Sequence, residues 1–187
     1  MGRISSFFAR HPFLKASTAY AILWPTANIV HQIRSGKEKI DTQAVLRYGA
    51  AGVTWVCPVF YCWVRGINYL IPGTNLMTCY KKVICEQVFY WPVAIAIFFG
   101  SMSFYNGESF EHFKQEFKSK YFRTHMTGLC FWPFVSLLVN YSNLVKDQNR
   151  IPLAAVASFG WASFLSYIQS QNSESAKVDT PTTAPTV

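Results

Sequence analysis

Two oppositely charged residues, Arg65 and Glu86, lie within apolar stretches of the sequence. Arg65 comes five residues before the end of one stretch and Glu86 six residues after the start of the next. With a helical rise of about 1.5 Å per residue, both would lie roughly 8–9 Å inside the same side of a membrane. Because an isolated charge is costly at that depth, the two side chains are predicted to pair. A glutamate that reaches back to the membrane surface is the simpler alternative.

Further polar residues could support such a buried pair: Gln87, Asn68 and Asn140. No arrangement typical of catalysis accompanies them. The sequence contains no GxSxG, P-loop or HExxH motif, and His125 and Cys130 point to different faces of one helix. We therefore expect neither an enzyme nor a bound cofactor.

Three prolines lie inside apolar stretches, at Pro58, Pro92 and Pro133. Proline removes a backbone hydrogen bond and clashes with the preceding turn, so each is predicted to bend its helix. The bends would open a space lined by polar or small residues between the helices. The dipeptide Trp-Pro occurs three times, at positions 24–25, 91–92 and 132–133. It hints at a repeated helical unit, although proline is common in membrane helices and the repeat could be coincidental.

Two arginines, Arg47 and Arg123, fall near helix ends at the opposite membrane side from Arg65. They are predicted either to form a basic rim that attracts anions or to extend toward lipid phosphates.

The elements that position these residues are long apolar segments. Of the 187 residues, 51% are hydrophobic and only 14% are charged, well below the charge content of a soluble domain. The candidate spans are Pro12–Ile33, Gln43–Leu70, Tyr80–Asn106, Phe122–Asn143 and, less certain in length, Pro152–Ile168. The predicted fold is an all-α integral membrane protein with four to five kinked transmembrane helices.

Two further features complete the predicted bundle. Gly49 and Gly52 in the second span would let another helix approach closely. The segment Gly107–Tyr121 has phenylalanines at helical spacing, with charged residues around them. It is predicted to be an amphipathic helix at the membrane surface, or a linker helix packed on the bundle.

The chain divides into a basic N-terminal segment (1–11), one membrane domain (12–169) and a disordered tail (170–187) rich in Ser, Thr and Pro. Because no acidic residue precedes Glu38, the N-terminal segment resembles a mitochondrial targeting sequence; an uncleaved interfacial helix is equally consistent. The net charge of +8 is spread over many helix ends. This distribution favours anionic lipid headgroups or anionic solutes as partners, and not nucleic acid.

The five cysteines contain no CxxC pair, and no histidine was found at ligand spacing, so no metal site is expected. They are predicted to be small buried hydrophobic residues, with a redox-sensitive pair of Cys57 and Cys62 as the alternative.

Four motifs in the same order resemble those of the Mpv-seventeen family, also called the twenty-two-kilodalton peroxisomal membrane protein family. The resemblance covers His11 to Tyr167. Arg65, Asn68, Pro72 and Gly73 resemble an Arg-x-x-Asp-x-x-x-Pro-Gly run in which Asn68 replaces the Asp. Glu86, Gln87 and Pro92 resemble Asp-Gln-x-x-x-x-Pro, with Glu86 for the Asp. Trp132, Pro133 and Asn140 resemble Trp-Pro-x-x-Gln-x-x-Asn-Phe, with Ser136 for the Gln and Asn140 displaced by one. Arg150, Trp161, Leu165 and Ser166 resemble the closing Arg and Trp-Asn-x-Tyr-Leu-Ser run.

This resemblance implies a small integral protein of the mitochondrial inner membrane or, alternatively, the peroxisomal membrane. It implies a non-selective channel for small solutes that contributes to organelle homeostasis, in contact with the lipid bilayer. Because one chain of 187 residues encloses little space, a wide channel would require a homo-oligomer. The alternative is a membrane-bound assembly or scaffold factor, for example for a mitochondrial ribosome or nucleoid, without transport activity.

Overall fold

The fold is described from a computed structural model for residues 10–141 and 156–170. Five helices make up these ranges, without a strand among them. They are α1 (Pro12–Arg34), α2 (Thr42–Leu70), α3 (Leu76–Asn106), α4 (Phe110–Val135, continued by a π-helical stretch Ser136–Tyr141) and α5 (156–170). The all-α prediction is confirmed for this part of the chain. Most of the basic segment 1–11, the start of the segment Pro152–Ile168 and the tail beyond Ser170 lie outside the described residues.

Polar side chains fix the starts of three helices. Asp41, Asn75 and Ser109 precede α2, α3 and α4, and each accepts a hydrogen bond from the backbone N–H three residues later, at 2.8–3.2 Å. These bonds satisfy backbone donors that the first helical turn leaves without partners. Gly107 ends α3 with a φ of 71°, a left-handed conformation that glycine adopts without strain. The α3–α4 connection is therefore a tight turn, and the two helices lie side by side.

Two prolines coincide with a change in helix geometry. The stretches Gly52–Val56 in α2 and Glu86–Tyr90 in α3 are π-helical, and each is followed directly by an X-Pro step. Proline provides no N–H and its ring displaces the carbonyl one turn earlier, so widening to i→i+5 bonding relieves the clash. At Pro133 the backbone is α-helical and the π-helical stretch begins three residues later. The bends expected at Pro58, Pro92 and Pro133 stay predictions, but the first two sites have a local backbone cause.

An aromatic core joins all five helices. Trp91 of α3 stacks on Trp132 of α4, with ring centroids 4.9 Å apart. Trp161 of α5 meets both rings edge-on, at 5.4 and 5.7 Å. On the other side of this core, Trp24 of α1 packs against Phe98 of α3 at 5.8 Å. The tryptophans of all three Trp-Pro steps therefore lie in or against one core.

Helix α1 approaches α2 at two glycines. A Cβ atom at Gly49 would lie 2.7 Å from Pro25 Cγ, and one at Gly52 would lie 2.9 Å from two ring atoms of Trp24. Real Cβ atoms do not make contacts this short, so only glycine fits at both positions. The predicted close approach to the glycines of α2 is confirmed, and its partner is the Trp24-Pro25 step.

The separate surface helix predicted at Gly107–Tyr121 is wrong, whereas the alternative of a helix packed on the bundle agrees with the structure. These residues begin α4, which runs without a break from Phe110 to Val135. Phe113, Phe117 and Tyr121 pack against the hydrophobic core, and consecutive rings along this face lie 4.9–5.7 Å apart. The apolar stripe was identified correctly, but it faces α3 instead of a lipid surface.

The outer surface of the bundle is strongly apolar. Two helices, α2 and α3, are long and apolar enough to cross a membrane. Large hydrophobic side chains are exposed on several helices: Ile22, Leu46, Phe89, Phe104, Phe122, Phe134 and Val156 are each more than half exposed. Soluble proteins rarely expose such a continuous apolar surface.

Alanine at Gly52 tests the α1–α2 contact. Because the new methyl group would meet the root of the Trp24 ring, Gly52→Ala is expected to destabilise the fold by about 1–3 kcal/mol. Gly66→Ala is the matched control in the same helix, since nothing lies within 4 Å of a Cβ there. Thermal unfolding in detergent should show a lower Tm for Gly52→Ala and an unchanged or slightly raised Tm for Gly66→Ala. Equal Tm values for the two variants would contradict the close approach.

Candidate functional site

The predicted ion pair between Arg65 and Glu86 is not formed among the described residues. Arg65 is exposed, and its guanidinium donates to the Tyr61 hydroxyl one turn away, at 2.9 Å. Glu86 is only 2% exposed and accepts a hydrogen bond from the Ser136 hydroxyl of α4, at 2.7 Å. Equal depth in a membrane does not place two side chains on facing helix surfaces, and here the two residues take different partners.

Lys82 occupies the buried position that was expected for Arg65. This lysine is 3% exposed and lies one turn before Glu86 on α3. Its ammonium group donates to Asn68 Oδ1 at 2.7 Å and to the Gly73 carbonyl at 2.9 Å. Lys82 thus joins α3 to the end of α2 through Asn68, which was predicted as a supporting residue, and to the turn after α2 through Gly73. The four-residue spacing of Lys82 and Glu86 is the sequence signal that could have identified this lysine.

Glu86 lies on the wall of an aromatic cavity of about 110 Å³ at the centre of the bundle. All five helices contribute to its lining, which includes the three Trp-Pro tryptophans: Trp24, Trp91 and Trp132. Because Glu86 starts the π-helical stretch that precedes Trp91-Pro92, the widened backbone carries both the carboxyl group and the aromatic wall. We call this space the aromatic cavity.

Several buried polar atoms on α2, α3 and α4 have no hydrogen-bond partner, and Trp91 and Trp132 among them line the aromatic cavity. Neither amide atom of Gln87 has one, although the residue is only 9% exposed. The indole N–H groups of Trp63, Trp91 and Trp132 are also buried and have no hydrogen-bond partner. Buried donors without partners are uncommon, and they frequently mark places where water or a ligand binds. Gln87 is therefore buried as expected, whereas the side chain of Asn140 lies outside the described residues.

A second and larger cavity of about 440 Å³ lies at one end of the bundle, where all five helices meet. We call it the polar cavity. Its wall near α1 is a chain of hydrogen bonds in which Gln32 donates to Asn28 at 2.7 Å and Asn28 donates to Ser166 at 2.8 Å. The backbone N–H of Asp41 donates to Gln32 at 2.7 Å and extends the chain to the start of α2.

The two arginines of the expected basic rim have different surroundings. Arg47 is half-buried and lines the polar cavity, where it donates to Asn106 Oδ1 at 3.1 Å. Arg123 is exposed on α4, with its guanidinium 5.6 Å from the centre of the Tyr167 ring. Only Arg47 lies where it could meet a solute inside the bundle.

Three aromatic side chains that contact one another lie between the two cavities. Tyr48 faces the polar cavity, whereas Trp24 and Phe98 face the aromatic cavity. Their rings are in contact, with centroids 5.0 Å apart for Tyr48 and Trp24 and 5.7 Å apart for Tyr48 and Phe98. The Tyr48 hydroxyl donates to the Ala162 carbonyl at 2.6 Å, which fixes the ring to α5. We call these three residues the aromatic partition.

The cysteines form no disulfide within the described residues, and all five thiols are free. Cys57 and Cys79 are buried as expected, but Cys62 and Cys130 are exposed on the apolar outer surface. Cys57 Sγ lies 3.7 Å from the Ser17 hydroxyl, so its polar neighbour comes from α1.

Comparison with known proteins agrees with the four motifs. The sequence pattern described as the Mpv17 / PMP22 family matches residues 103–166. An Mpv17-like protein from Xenopus laevis is 31% identical over 168 residues, which cover 89% of this chain and 81% of the relative. The chain belongs to the Mpv17 / PMP22 family.

Other members of the Mpv17 / PMP22 family are more distant. The mitochondrial inner membrane protein Mpv17 of Rattus norvegicus is 28% identical, covering 85% of this chain and 91% of the relative. PXMP2/4 family protein 2 of Dictyostelium discoideum is 25% identical, covering 84% of each chain. No solved structure matches this chain significantly.

The resemblance to the Mpv17 / PMP22 family motifs identifies positions that interact with one another in the fold. Ser136, which replaces the expected Gln, donates to Glu86, which replaces an expected Asp. Asn68, which also replaces an Asp, accepts from Lys82. Two motif residues, Ser136 and Glu86, therefore contact each other between helices, a third, Asn68, binds Lys82, and the substitutions keep a hydrogen-bonding group at each of the three positions.

Substitution of Lys82 tests the polar contact at the α2–α3 turn. Lys82→Ala removes the donor to Asn68 and Gly73 and leaves a gap in a buried site, so the free energy of unfolding should fall by about 1–3 kcal/mol. Lys81→Ala is the matched control because Lys81 is exposed. The two variants should differ clearly in Tm in detergent. A Tm for Lys82→Ala equal to that of Lys81→Ala would show that the contact does not stabilise the fold.

Proposed function

We propose that this protein is a membrane channel for small solutes in the mitochondrial inner membrane, with the peroxisomal membrane as the alternative location. The observation that carries the proposal is a pair of cavities, each lined by all five helices, with the contacting rings of the aromatic partition between them. The family supports a membrane location, since the rat relative is named a mitochondrial inner membrane protein and the Dictyostelium relative belongs to the PXMP2/4 family.

The bundle is proposed to cross the membrane with four to five helices. Two of them, Thr42–Leu70 and Leu76–Asn106, have the length and composition for this on their own. The remaining helices pack around these two and carry exposed apolar residues on their outer faces, such as Ile22 on α1 and Phe134 on α4. An exposed apolar surface with polar groups in the interior is the arrangement that a lipid environment favours.

The conducting path is proposed to run from the polar cavity through the aromatic partition to the aromatic cavity. The polar cavity offers both charged and amide groups, including Arg47, Asn28 and Gln32, to an incoming solute. Beyond the partition, the carboxyl group of Glu86 gives the path a polar wall. In the structure the partition is closed, because its three rings are in contact and Tyr48 is completely buried. A closed hydrophobic constriction is a common gate in channels.

Association of several copies would enlarge the path. The aromatic and polar cavities have volumes of about 110 and 440 Å³, which suit small solutes. We therefore include homo-oligomers in the proposal, with the exposed apolar helix faces as the contacting surfaces.

Removal of one partition ring should open the path. Phe98→Ala is expected to raise the conductance of the purified protein in planar lipid bilayers several-fold. The reason is that loss of the Phe98 ring would connect the polar cavity with the aromatic cavity. Phe104→Ala in the same helix is the control, since Phe104 is 69% exposed and lies outside the partition. Circular dichroism and gel filtration must show that both variants fold, since loss of a buried Phe costs about 3–5 kcal/mol. Conductance that is absent in folded wild type and folded Phe98→Ala would contradict the channel and favour an assembly factor instead.

The carboxyl group of Glu86 should influence ion selectivity. In the Phe98→Ala background, Glu86→Gln replaces an ionisable group on the path by a neutral amide that still accepts from Ser136. The reversal potential in a salt gradient should move toward anion preference. Glu111→Gln removes an exposed carboxylate paired with Lys114 and should leave the reversal potential unchanged. A path that avoids the aromatic cavity would give the same reversal potential for both variants.

A further inference from the structure

Three potential metal ligands lie together on the wall of the polar cavity. Glu108, His112 and Glu116 follow one another at intervals of four residues, at the start of α4 and just before it. Residues at this spacing share one helix face. A carboxylate oxygen of each glutamate and a ring nitrogen of the histidine all lie within 4.8 Å of one another. The four-residue spacing of these three residues is visible in the sequence and contradicts the expectation that no histidine lies at ligand spacing.

Each carboxylate has one oxygen held in place and the other without a hydrogen-bond partner. Asn106 donates to Glu108 Oε1 at 3.2 Å, and Lys120 donates to Glu116 Oε1 at 2.8 Å. The Oε2 atoms of both glutamates are buried and accept no hydrogen bond. Glu116 is only 3% exposed, so its free oxygen is shielded from solvent. Partners that orient ligating carboxylates in this way are typical of metal sites.

The unpartnered atoms on this wall are all of one chemical kind. Three buried side-chain atoms of the polar cavity have no hydrogen-bond partner: Glu108 Oε2, Glu116 Oε2 and Gln169 Oε1. All three are oxygen acceptors, which require a cation or a donor. His112 Nδ1 lies 3.1 Å from Glu108 Oε2 but outside hydrogen-bonding geometry.

Two basic groups close to the glutamates, Lys120 and Arg47, already have hydrogen-bond partners. Lys120 donates to Glu116 and to the Gln169 carbonyl, and Arg47 donates to Asn106 and Gln43. The Lys120 ammonium bonds only one oxygen of Glu116 and leaves the other available. Lys120 therefore orients Glu116 directly and Arg47 orients Glu108 through Asn106, while the second oxygen of each carboxylate stays available to a metal ion.

We propose that Glu108, His112 and Glu116 bind a first-row divalent metal ion, such as Mn²⁺ or Zn²⁺. Two carboxylates and one imidazole suit these ions, and water would complete the coordination. With metal–ligand bonds of about 2.1 Å, two ligands of one ion lie at most about 4.2 Å apart, so small side-chain rotations would complete the site. The ion would lie in the polar cavity, at the meeting point of all five helices. The site does not depend on whether the protein conducts solutes.

The test uses the full-length protein, purified without a polyhistidine tag and freed of metal with a chelator. Binding of Mn²⁺ alone is followed by electron paramagnetic resonance, and binding of Zn²⁺ alone by calorimetry. We expect one ion per chain and a raised Tm when it binds. Glu116→Gln and His112→Ala should each weaken binding at least about tenfold, as loss of one ligand does.

Two matched variants make the result specific. Glu111→Gln removes a carboxylate from the same part of α4, where it is exposed and pairs with Lys114, and it should leave the affinity unchanged. Asn106→Ala, which releases Glu108 without removing a ligand, should weaken binding less than Glu116→Gln. The proposal is overturned if the folded wild type binds neither ion. It is equally overturned if His112→Ala and Glu111→Gln bind with the same affinity as the wild type.

Discussion

The close contact between α1 and α2 determines how the rest of the bundle is arranged. Because Gly49 and Gly52 have no Cβ, the Trp24-Pro25 step fits directly against the backbone of α2. This contact places the Trp24 ring against Tyr48 and Phe98, which are almost completely buried. The aromatic partition, and with it the separation of the two cavities, therefore depends on two glycines.

The buried charged residues have neutral partners at one end of the bundle and form an ion pair at the other. Near the α2–α3 turn, Lys82 and Glu86 each hold a neutral partner on another part of the chain. At the polar cavity, Lys120 and Glu116 form a buried ion pair on α4, and Lys120 also donates to the Gln169 carbonyl of α5. A buried charge without a partner would be strongly destabilising. The two buried lysines therefore connect separate segments of the chain: Lys82 connects α3 to α2, and Lys120 connects α4 to α5.

The sequence predicted those features that depend on local pattern. Helical segments, the close approach at Gly49 and Gly52, and the apolar stripe of Phe113 and Phe117 could be derived from spacing and side-chain size. The partner of Glu86 could not, because depth along a helix gives no rotation about its axis, and the π-helical stretch before Pro92 shifts that rotation further. Depth alone predicts Arg65 as the partner, yet Arg65 lies exposed and donates to Tyr61 on its own helix. The extent of α4 was also missed, since its charged first half resembles a surface helix until its contacts with α3 are known.

The central claim is that the aromatic partition alone separates two spaces of a single path. It is tested most directly by the reactivity of a cysteine at Ala94, which lines the aromatic cavity. The five native cysteines are first replaced, and the protein is reconstituted in liposomes and exposed to a small charged thiol reagent that does not cross lipid. The account predicts slow labelling of Ala94→Cys when Phe98 is present and rapid labelling when Phe98→Ala is combined with it. Equal labelling rates with and without Phe98 would contradict the claim.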